Sequence, residues 1–492
     1  MTEHLDVLIV GAGLSGVGAA HHLRTAFPRK SYTILEARDA IGGTWDLFRY
    51  PGVRSDSDMQ TLGYRFRPWT DAKAIADGPS ILRYVRDTAA DAGIDRHIRF
   101  GHQVVRAAWS TEDARWTVEA EHDGKPVEFT AKFLYLCSGY YDYAAGHTPE
   151  FPGLEHFGGT VVHPQHWPED LDYTGKKVVV IGSGATAVTL VPAMTDRAAH
   201  VTMLQRSPSY ILSLPSEDAL ANRLRKVLGP KLAYPIARWK NVAVSTLIYQ
   251  LSRRRPGVVK ALIRKATAKQ LPPGFAVDTH FKPRYQPWDQ RLCLVPDGDL
   301  FRSIKRGDAS IVTDRIASFT KTGIRLESGD ELEADVVVTA TGLRLLAFGG
   351  IELSVDGNPV KLPETMAYKG MMLSGVPNFA FTIGYTNASW TLKADLVGEY
   401  VVRLLRHLDR HGHDQCVPVN DDPAVTERPL LDFDAGYVLR SIDEFPKAGS
   451  RAPWQLGMSY AHDVVKLRHG RIDDGALKFS RRPGAGAGRL SA

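Results

Sequence analysis

The sequence contains very little cysteine. Cys137, Cys293 and Cys416 are the three cysteines in 492 residues, and no two of them form a CxxC or a metal-binding spacing. A dithiol redox enzyme needs neighbouring thiols, and a structural zinc site needs clustered ligands. The sequence therefore argues against both, and no metal site is predicted. Isolated thiols are typical of proteins from a reducing cytoplasm.

Long apolar runs are also missing. No stretch approaches the roughly 18 consecutive apolar residues that a membrane-spanning helix requires. The first residues, Met-Thr-Glu-His-Leu-Asp, are acidic and continue into a predicted strand, unlike a secretory or transit peptide. We therefore expect a cytoplasmic protein. At 492 residues the chain is too long for a single hydrophobic core, so two or three domains are expected.

Acidic residues are scarce in one segment, residues 216–275. It holds 13 Lys or Arg against two acids, an excess of 11 that exceeds the net charge of +6 for the whole chain. Apolar residues recur at helical spacing near its start, as in Leu220, Leu224, Val227 and Leu228. The segment predicts a helical cap over a cleft, and peripheral contact with an anionic membrane is the alternative. Nucleic-acid binding is not expected, because no recognisable binding module frames the charges.

A dinucleotide-binding motif lies at the start of the chain. An apolar strand (residues 7–10) is followed by Gly-Ala-Gly-Leu-Ser-Gly (residues 11–16) and a predicted helix. The three glycines allow a tight turn, close approach of a pyrophosphate and helix–strand packing. The next predicted strand ends in a carboxylate that can bind both ribose hydroxyls of an adenine dinucleotide. The predicted binding residues are Gly11, Gly13, Ser15, Gly16 and Glu36.

A second motif of the same kind has the opposite charge after its second strand. The strand at residues 178–181 leads into Gly-Ser-Gly-Ala-Thr-Ala (residues 182–187), and the following strand ends near an arginine instead of an acid. A cation there suits the 2′-phosphate of NADPH. Two such sites predict electron transfer between NADPH and FAD. The predicted NADPH-binding residues are Gly182, Ser183, Gly184, Ala185, Thr186, Arg206 and Ser207.

Other small-residue turns predict further contacts with a flavin. Gly-Gly-Thr-Trp begins at Gly42, a buried strand ends at Thr341-Gly342, and a turn-and-aromatic stretch spans residues 384–390. Asp56 follows in a Ser-Asp-Ser-Asp run, where local sequence favours a turn or helix cap. The residues added to the cofactor-binding set are Gly43, Thr44, Trp45, Asp56, Val104, Thr341, Gly342 and Asn387.

The stretch between the two motifs, residues 157–168, reads Phe-Gly-Gly-Thr-Val-Val-His-Pro-Gln-His-Trp-Pro. It is too rich in His, Pro and aromatic residues for a simple helix, and its alternation is too broken for a clean strand. We interpret it as a bridge between the two dinucleotide-binding bodies.

Together these residues resemble the class B flavin monooxygenases, specifically the Baeyer–Villiger monooxygenases. The family fingerprint FxGxxxHxxxWP is met at Phe157, Gly159, His163, Trp167 and Pro168. A second signature is met at Gly42, Gly43, Trp45, Tyr50, Pro51, Gly52 and Asp56. The segments around residues 289–296 and 384–393 are similar to the ethionamide-activating subgroup from mycobacteria.

The resemblance implies a reaction and several roles. In this family NADPH reduces FAD, O2 adds to form a C4a-peroxyflavin, and a ketone becomes an ester or lactone; sulfides or thioamides are a second substrate class. Arg291 is expected to be the active-site arginine, with Asp56 orienting it. His163 is expected in a hinge, and Trp454 in the substrate pocket. Gln290 stands where relatives carry a lysine for the NADPH phosphate.

Alternatives remain open within this resemblance. An N- or S-oxygenating flavin monooxygenase shares the fold and most of the fingerprint, but typically lacks the Trp-Pro ending seen at residues 167–168. A non-catalytic flavin-binding protein is a more distant alternative.

The expected fold class is α/β, with two Rossmann-like dinucleotide-binding domains and a helical insert in the second. The predicted limits are 1–145 for the first part of the FAD domain, 146–214 for the first part of the NADPH domain, 215–285 for the insert, 286–342 for the return of the NADPH domain, 343–480 for the second part of the FAD domain with the substrate-lining region, and 481–492 for a flexible tail.

Overall fold

The protein folds around two separate β-sheets, as seen in a computed structural model that describes residues 3–290, 292–431 and 435–483. The predicted α/β class is confirmed. The flexible tail is predicted at 481–492, and residues 484–492 lie outside the described part. The other domain limits stay predictions, although each sheet draws its strands from a distinct part of the chain.

The first sheet is built on a parallel centre. The strand Glu3–Val10 lies between Tyr32–Leu35 and Lys125–Leu136, and its Leu8 and Ile9 are fully buried. A strand that is buried on both faces has a continuous run of apolar residues, which explains the apolar run at residues 7–10. The nine strands among the described residues are Glu3–Val10, Tyr32–Leu35, Ile98–Arg99, Gln103–Ser110, Arg115–His122, Lys125–Leu136, Glu352–Val355, Asn358–Pro359 and Phe379–Phe381.

The second sheet is parallel throughout its described strands. In spatial order these are Ala309–Thr313, His200–Gln205, Lys177–Ile181, Val336–Thr339 and Thr160–Val162. The last of them belongs to the stretch that we interpreted as a bridge. That interpretation was incomplete, because three residues of the stretch pair with Val336–Val338 as the edge of this sheet.

The chain crosses between the two sheets twice, and the two crossing segments lie side by side. The strand Tyr141–Gly146 leaves the first sheet, and Leu343–Leu345 returns to it. These two strands pair antiparallel, with Leu343 opposite Gly146 and Leu345 opposite Tyr141. Both crossings are therefore tied to each other.

Helices cover both sheets, and short strand pairs complete the fold. The helices of eight or more residues are Leu14–Ala26, Gly78–Asp91, Ala185–Met194, Ala219–Arg254, Pro256–Gln270, Asp299–Arg306 and Trp390–His411; the shorter ones are Thr44–Leu47, Met59–Leu62, Val277–His280, Gly436–Leu439 and Tyr460–Asp463. The remaining strands are Ile211–Leu214 with Cys293–Pro296, Ile316–Phe319 with Gly323–Leu326 and Glu331–Glu333, Ala367–Tyr368 with Met372–Leu373, Gln415–Pro418 with Leu477–Ser480, and Glu427–Pro429 with Lys447–Gly449.

The basic segment is helical, as its periodicity indicates. Its long helix Ala219–Arg254 bends at Gly229, whose φ of 74° is not helical, and Pro230 follows. No helix within the described ranges is long and apolar enough to cross a membrane.

Candidate functional site

The two glycine turns have the same geometry. Gly11 has φ of 98°, and a Cβ there would lie 2.7 Å from the carbonyl oxygen of Cys137. Gly182 has φ of 139°, and its Cβ would lie 2.3 Å from the carbonyl oxygen of Ala340. Each turn is therefore pressed against the end of a neighbouring strand, where a side chain has no room. Each is followed by a helix whose first N–H groups can bind phosphate.

The two remaining glycines of the first motif have different structural roles. A Cβ on Gly16 would lie 1.8 Å from the carbonyl oxygen of Gly11, so this position serves packing of the helix on the strand. Gly13 faces the turn at Gly42 and Gly43, since a Cβ on Gly43 would lie 3.1 Å from the Cα of Gly13. The two turns form a narrow slot with bare backbone on both sides.

Glu36 closes one end of this slot. Its carboxylate accepts a hydrogen bond from the backbone N–H of Ala12 at 2.7 Å and another from that of Arg38 at 3.0 Å. Burial raises the pKa of this carboxyl, although both backbone hydrogen bonds oppose the shift. These two hydrogen bonds hold the carboxylate against the first turn.

A cleft of about 1500 Å³ joins the two dinucleotide motifs. Typical pockets for one drug-sized ligand measure roughly 300–1,000 Å³. Gln290 also lines this cleft. The predicted residues that line it are Gly11, Gly13, Ser15, Glu36, Gly43, Thr44, Trp45, Asp56, Val104, Gly182, Ser183, Gly184, Ala185, Thr186, Arg206, Ser207, Thr341 and Gly342.

Other predicted residues lie elsewhere. Asn387 donates a hydrogen bond from Nδ2 to the carbonyl oxygen of Met458 at 3.0 Å and does not contribute to the described lining of the cleft. Trp454 is buried, and its ring lies edge-on to Tyr368 with centroids 5.7 Å apart. Arg291 lies outside the described residues, so its role stays a prediction.

The loop at residues 50–56 connects the two sheets across the cleft. Gly52 has φ of 75°, and its Cβ would lie 2.6 Å from that of Ala193, on the helix that follows the second glycine turn. Arg54 donates to the Asp299 carboxylate at 2.5 Å, again across the cleft. Asp56, two residues further on, therefore lines the cleft on a loop that both sheets position.

His163 ties the second sheet to both chain crossings. Its Nδ1 accepts from the backbone N–H of Gln165 at 3.2 Å, so Nε2 carries the proton and donates to the carbonyl oxygen of Gly342 at 3.2 Å. A Cβ on Gly146 would collide with the imidazole, which lies 2.0 Å from that position. The side chain thus contacts the outgoing crossing and the returning one.

Burial lowers the pKa of His163, and the nearby His166 and His147 lower it further. A neutral ring with one donor and one acceptor fits the hydrogen bonds described above. This geometry gives His163 a positioning role, because both ring nitrogens are already engaged with backbone groups.

The other fingerprint residues contact segments that flank the second sheet. Phe157 lies edge-on to Phe319 with centroids 5.8 Å apart, and Trp167 lies edge-on to Tyr173 at 6.5 Å. A Cβ on Gly159 would lie 2.4 Å from the carbonyl oxygen of Asp335. Pro168 accepts a backbone hydrogen bond from Leu171. These contacts hold the edge strand in place.

Sequence reasoning missed three side chains around the slot. Trp390 donates from Nε1 to Oγ of Ser15 at 2.7 Å, and the Tyr143 hydroxyl lies 2.9 Å from Oγ1 of Thr44. Arg38 pairs with Asp46 at 2.6 Å. No local pattern reveals the first two contacts, because their partners are 375 and 99 residues apart.

Among the described residues, no metal site accompanies the cleft. Within the described ranges, no group of three or more His, Cys, Asp or Glu side chains is placed to hold a metal ion. The three cysteines are buried thiols, and burial raises the pKa of Cys137 and Cys416. These two thiols are inert as nucleophiles near neutral pH.

Two family models match the chain. A flavin-binding monooxygenase-like model matches residues 70–374, which is 305 of the 492 residues, and an NAD(P)-binding Rossmann-like model matches residues 9–76. The chain belongs to the flavin-binding monooxygenase-like family. The predicted class of enzyme is thereby confirmed, and so is the Rossmann-like fold.

Curated members of this family match over nearly the whole chain. This monooxygenase is 58% identical over 484 residues to the FAD-containing monooxygenase EthA of Mycobacterium tuberculosis, covering 98% of this chain and 99% of the relative. It is 47% identical over 485 residues to the probable FAD-binding monooxygenase AlmA of Acinetobacter baylyi, covering 98% and 97%. The resemblance to a mycobacterial subgroup is confirmed.

Solved structures share the fold at much lower identity. A steroid monooxygenase bound to NADP superposes with a TM-score of 0.77 at 23% identity, covering 97% of this chain and all of the other. A cyclohexanone monooxygenase with bound ε-caprolactone gives 0.75 at 20% identity, with the same coverage. The chain therefore shares the overall fold of these two monooxygenases.

Proposed function

We propose that this protein is an NADPH- and O2-dependent FAD monooxygenase that converts ketones to esters or lactones and also oxidises sulfides or thioamides. One observation carries the proposal. A single cleft is lined by two dinucleotide turns whose strand ends offer opposite charges, Glu36 in one and Arg206 in the other. Such a cleft can bring a hydride donor to an acceptor.

The first half of the cleft fits FAD. Glu36 is positioned at the end of the second strand, where a carboxylate accepts hydrogen bonds from ribose hydroxyls. The slot between Gly13 and Gly43 leaves backbone exposed for a pyrophosphate, since a Cβ on either glycine would narrow it. These residues would hold the cofactor without large rearrangement.

The second half fits NADPH. Arg206 is exposed at the end of the strand His200–Gln205 and lines the cleft together with Ser207. NADPH carries a 2′-phosphate that NADH lacks. A guanidinium forms strong charge-assisted hydrogen bonds with such a phosphate. Gln290 lies in the same lining, where it adds no charge. We therefore expect NADPH to be preferred through Arg206.

When bound, the reduced flavin would supply the activation of O2, and the protein's own residues would position the substrate and balance charge. Asp56 lies in the cleft on the loop held by Arg54 and Gly52. Arg291, predicted from the sequence, would stabilise negative charge that develops on the carbonyl oxygen of the ketone. Asp56 would then orient and balance that guanidinium.

Product analysis separates the substrate classes. The protein is supplied with NADPH and O2, and ketones, thioethers, thioamides and amines are tested by mass spectrometry. The proposal expects an ester or lactone one oxygen heavier than each accepted ketone, and a sulfoxide from each accepted thioether. Oxygenation of amines alone would instead favour the N-oxygenating alternative, and yellow protein that never consumes NADPH would favour a non-catalytic role.

The predicted arginine can be tested separately. Arg291→Ala should leave anaerobic reduction of the flavin by NADPH within about twofold of wild type but lower product formation by at least about 100-fold, since one charge-stabilising group contributes about that factor. Arg284→Ala changes an exposed arginine seven residues earlier in the sequence; it is the control and should form product normally. Normal ester yield from Arg291→Ala would contradict its assigned role.

A further inference from the structure

The helical insert carries a long apolar surface on its outer side. On the helix Ala219–Arg254, every exposed residue from position 232 to position 251 is apolar except Ser245. Six of these residues follow one another at intervals of three or four, which places them on one face of a helix. We call them the apolar stripe: Leu232, Ile236, Trp239, Ala243, Leu247 and Leu251.

The stripe is large and open. At 1.5 Å per residue it extends over about 30 Å. Leu232 is 64% exposed and Leu247 68% exposed, so neither is covered by the rest of the protein. Twelve of the fifteen large apolar side chains that are exposed in the described structure lie in the insert. A contiguous apolar surface of this size marks an interaction site.

The inner face of the same helix is firmly attached, which fixes the stripe outward. Tyr234 donates to the carbonyl oxygen of Tyr64 at 3.0 Å. The buried Arg238 donates to the carbonyl oxygens of Gln60 at 2.9 Å and Gly63 at 2.7 Å. The stripe therefore cannot turn inward without breaking these bonds. The segment that holds it directly follows the Asp56 loop of the cleft.

Basic side chains surround both ends of the stripe. Three exposed basic residues come before the stripe in the sequence: Arg223, Lys226 and Lys231. Three more come after it: Arg253, Arg254 and Arg255. The two acids of the segment have partners already: Asp218 accepts from Lys240 at 2.5 Å, and Glu217 accepts from Asn222 at 3.4 Å. The surface thus combines an apolar centre with positive ends.

This combination decides between two kinds of occupant. A second copy of the chain would bring two inserts together, and residues 216–275 of each carry an excess of 11 positive charges. Like charges oppose such a symmetric contact. A layer of anionic lipid offers acyl chains to the stripe and phosphates to the arginines.

We propose that the insert docks on the surface of an anionic lipid bilayer, with the apolar stripe in the boundary between headgroups and acyl chains. The flanking Lys and Arg residues contact the lipid phosphates. Binding is peripheral and independent of the oxidation chemistry, so its test does not depend on the proposed function.

Vesicle co-sedimentation of the full-length protein tests this docking. Vesicles of phosphatidylcholine alone are compared with vesicles containing 30% phosphatidylglycerol, about a third of the lipid, at low and at high salt. We expect at least about tenfold more binding to the anionic vesicles, because polybasic segments are attracted to anionic lipid. Binding should fall as salt screens the charges.

Two variants locate the contact. Ile236→Gln/Leu247→Gln/Leu251→Gln keeps the charge and should lower binding at least about tenfold, because three apolar side chains no longer enter the lipid. The matched control, Leu439→Gln/Val465→Gln, changes two side chains that are 56% and 61% exposed outside the insert, and should bind as wild type does. Retained flavin colour and an unchanged melting temperature show that each variant is folded.

Three results would overturn the proposal. They are absence of wild-type binding to any vesicle, equal loss in the control variant, and a dimer of the wild type that the triple variant converts to monomer without any lipid binding by either protein. The last result would assign the stripe to a second copy of the chain.

Discussion

At the scale of single residues, His163 shows how a fingerprint side chain can act without taking part in the chemistry. Its two ring nitrogens are both used, one toward Gln165 and the other toward Gly342. The ring lies against Gly146, which leaves no space for a side chain at that position. The hinge role expected for His163 from the sequence stays a prediction.

The lowered pKa of His163 predicts a dependence of stability on pH. The folded state binds the proton more weakly than the unfolded state, whose pKa is near 6.5. As pH falls below about 6.5, the unfolded state takes up the proton before the folded state does, so His163 lowers the free energy of unfolding in acid. Well above pH 6.5 the ring is neutral in both states, and His163 does not change the free energy of unfolding through its protonation.

Denaturation by urea at pH 7.5 and pH 5.5 measures this effect. The loss of unfolding free energy between the two pH values should be smaller in His163→Gln than in wild type. His156→Gln changes an exposed histidine of the neighbouring segment and should keep the wild-type loss. An unchanged loss in His163→Gln would contradict the assignment.

At the scale of elements, the contact between the loop at residues 50–56 and the helix Ala185–Met194 depends on one glycine. Gly52→Ala would place a Cβ 2.6 Å from Ala193 and 3.1 Å from the carbonyl oxygen of Thr189, at a φ of +75°. Forcing an atom into a packed contact costs about 1–3 kcal/mol, in addition to about 1–2 kcal/mol for the left-handed backbone.

Gly175→Ala separates the two costs. This glycine also has a positive φ, of 66°, but a Cβ there would meet nothing within 4 Å. We expect Gly175→Ala to lose only the backbone part of the unfolding free energy, and Gly52→Ala to lose more and to slow NADPH oxidation by displacing Asp56. Equal losses in the two variants would show that the loop is not pressed on the helix.

Local elements were predictable because their causes are local. A turn of glycines, a strand end and a charged residue after it depend on a few consecutive residues, so both dinucleotide motifs and the opposite charges of Glu36 and Arg206 could be predicted. The edge strand Thr160–Val162 could not, because three residues pair only when Val336–Thr339 is already in place. For Asp56, local sequence favoured a turn, and only the resemblance pointed to the cleft.

The helical insert illustrates a different limit. The spacing of Leu220, Leu224, Val227 and Leu228 predicts a helix correctly. It does not reveal which face is buried, and Val227 is in fact 74% exposed. The spacing of apolar residues predicts that one face of the helix is apolar. It does not predict what that face packs against, which depends on the tertiary structure.

At the scale of the whole molecule, the two sheets are joined at the cleft by an ion pair that the sequence could not reveal. Arg54 and Asp299 are 245 residues apart, and their nearest atoms lie 2.5 Å from each other. The side chains are only 11% and 22% exposed, so solvent screens the pair weakly. This pair holds the loop that carries Asp56 against the second sheet's helix Asp299–Arg306.

A double-mutant cycle with Arg54→Ala, Asp299→Ala and the double variant measures this connection. We expect a coupling energy of about 1–3 kcal/mol in urea denaturation, because the two groups contact each other in a half-buried site. Arg197 and Asp172, a pair that is 52% and 69% exposed, give the control cycle, for which we expect a clearly smaller coupling because solvent screens the charges. If both cycles gave the same small coupling, the two sheets would be held together by the crossings and the loop packing, and Arg54 would serve only the cleft.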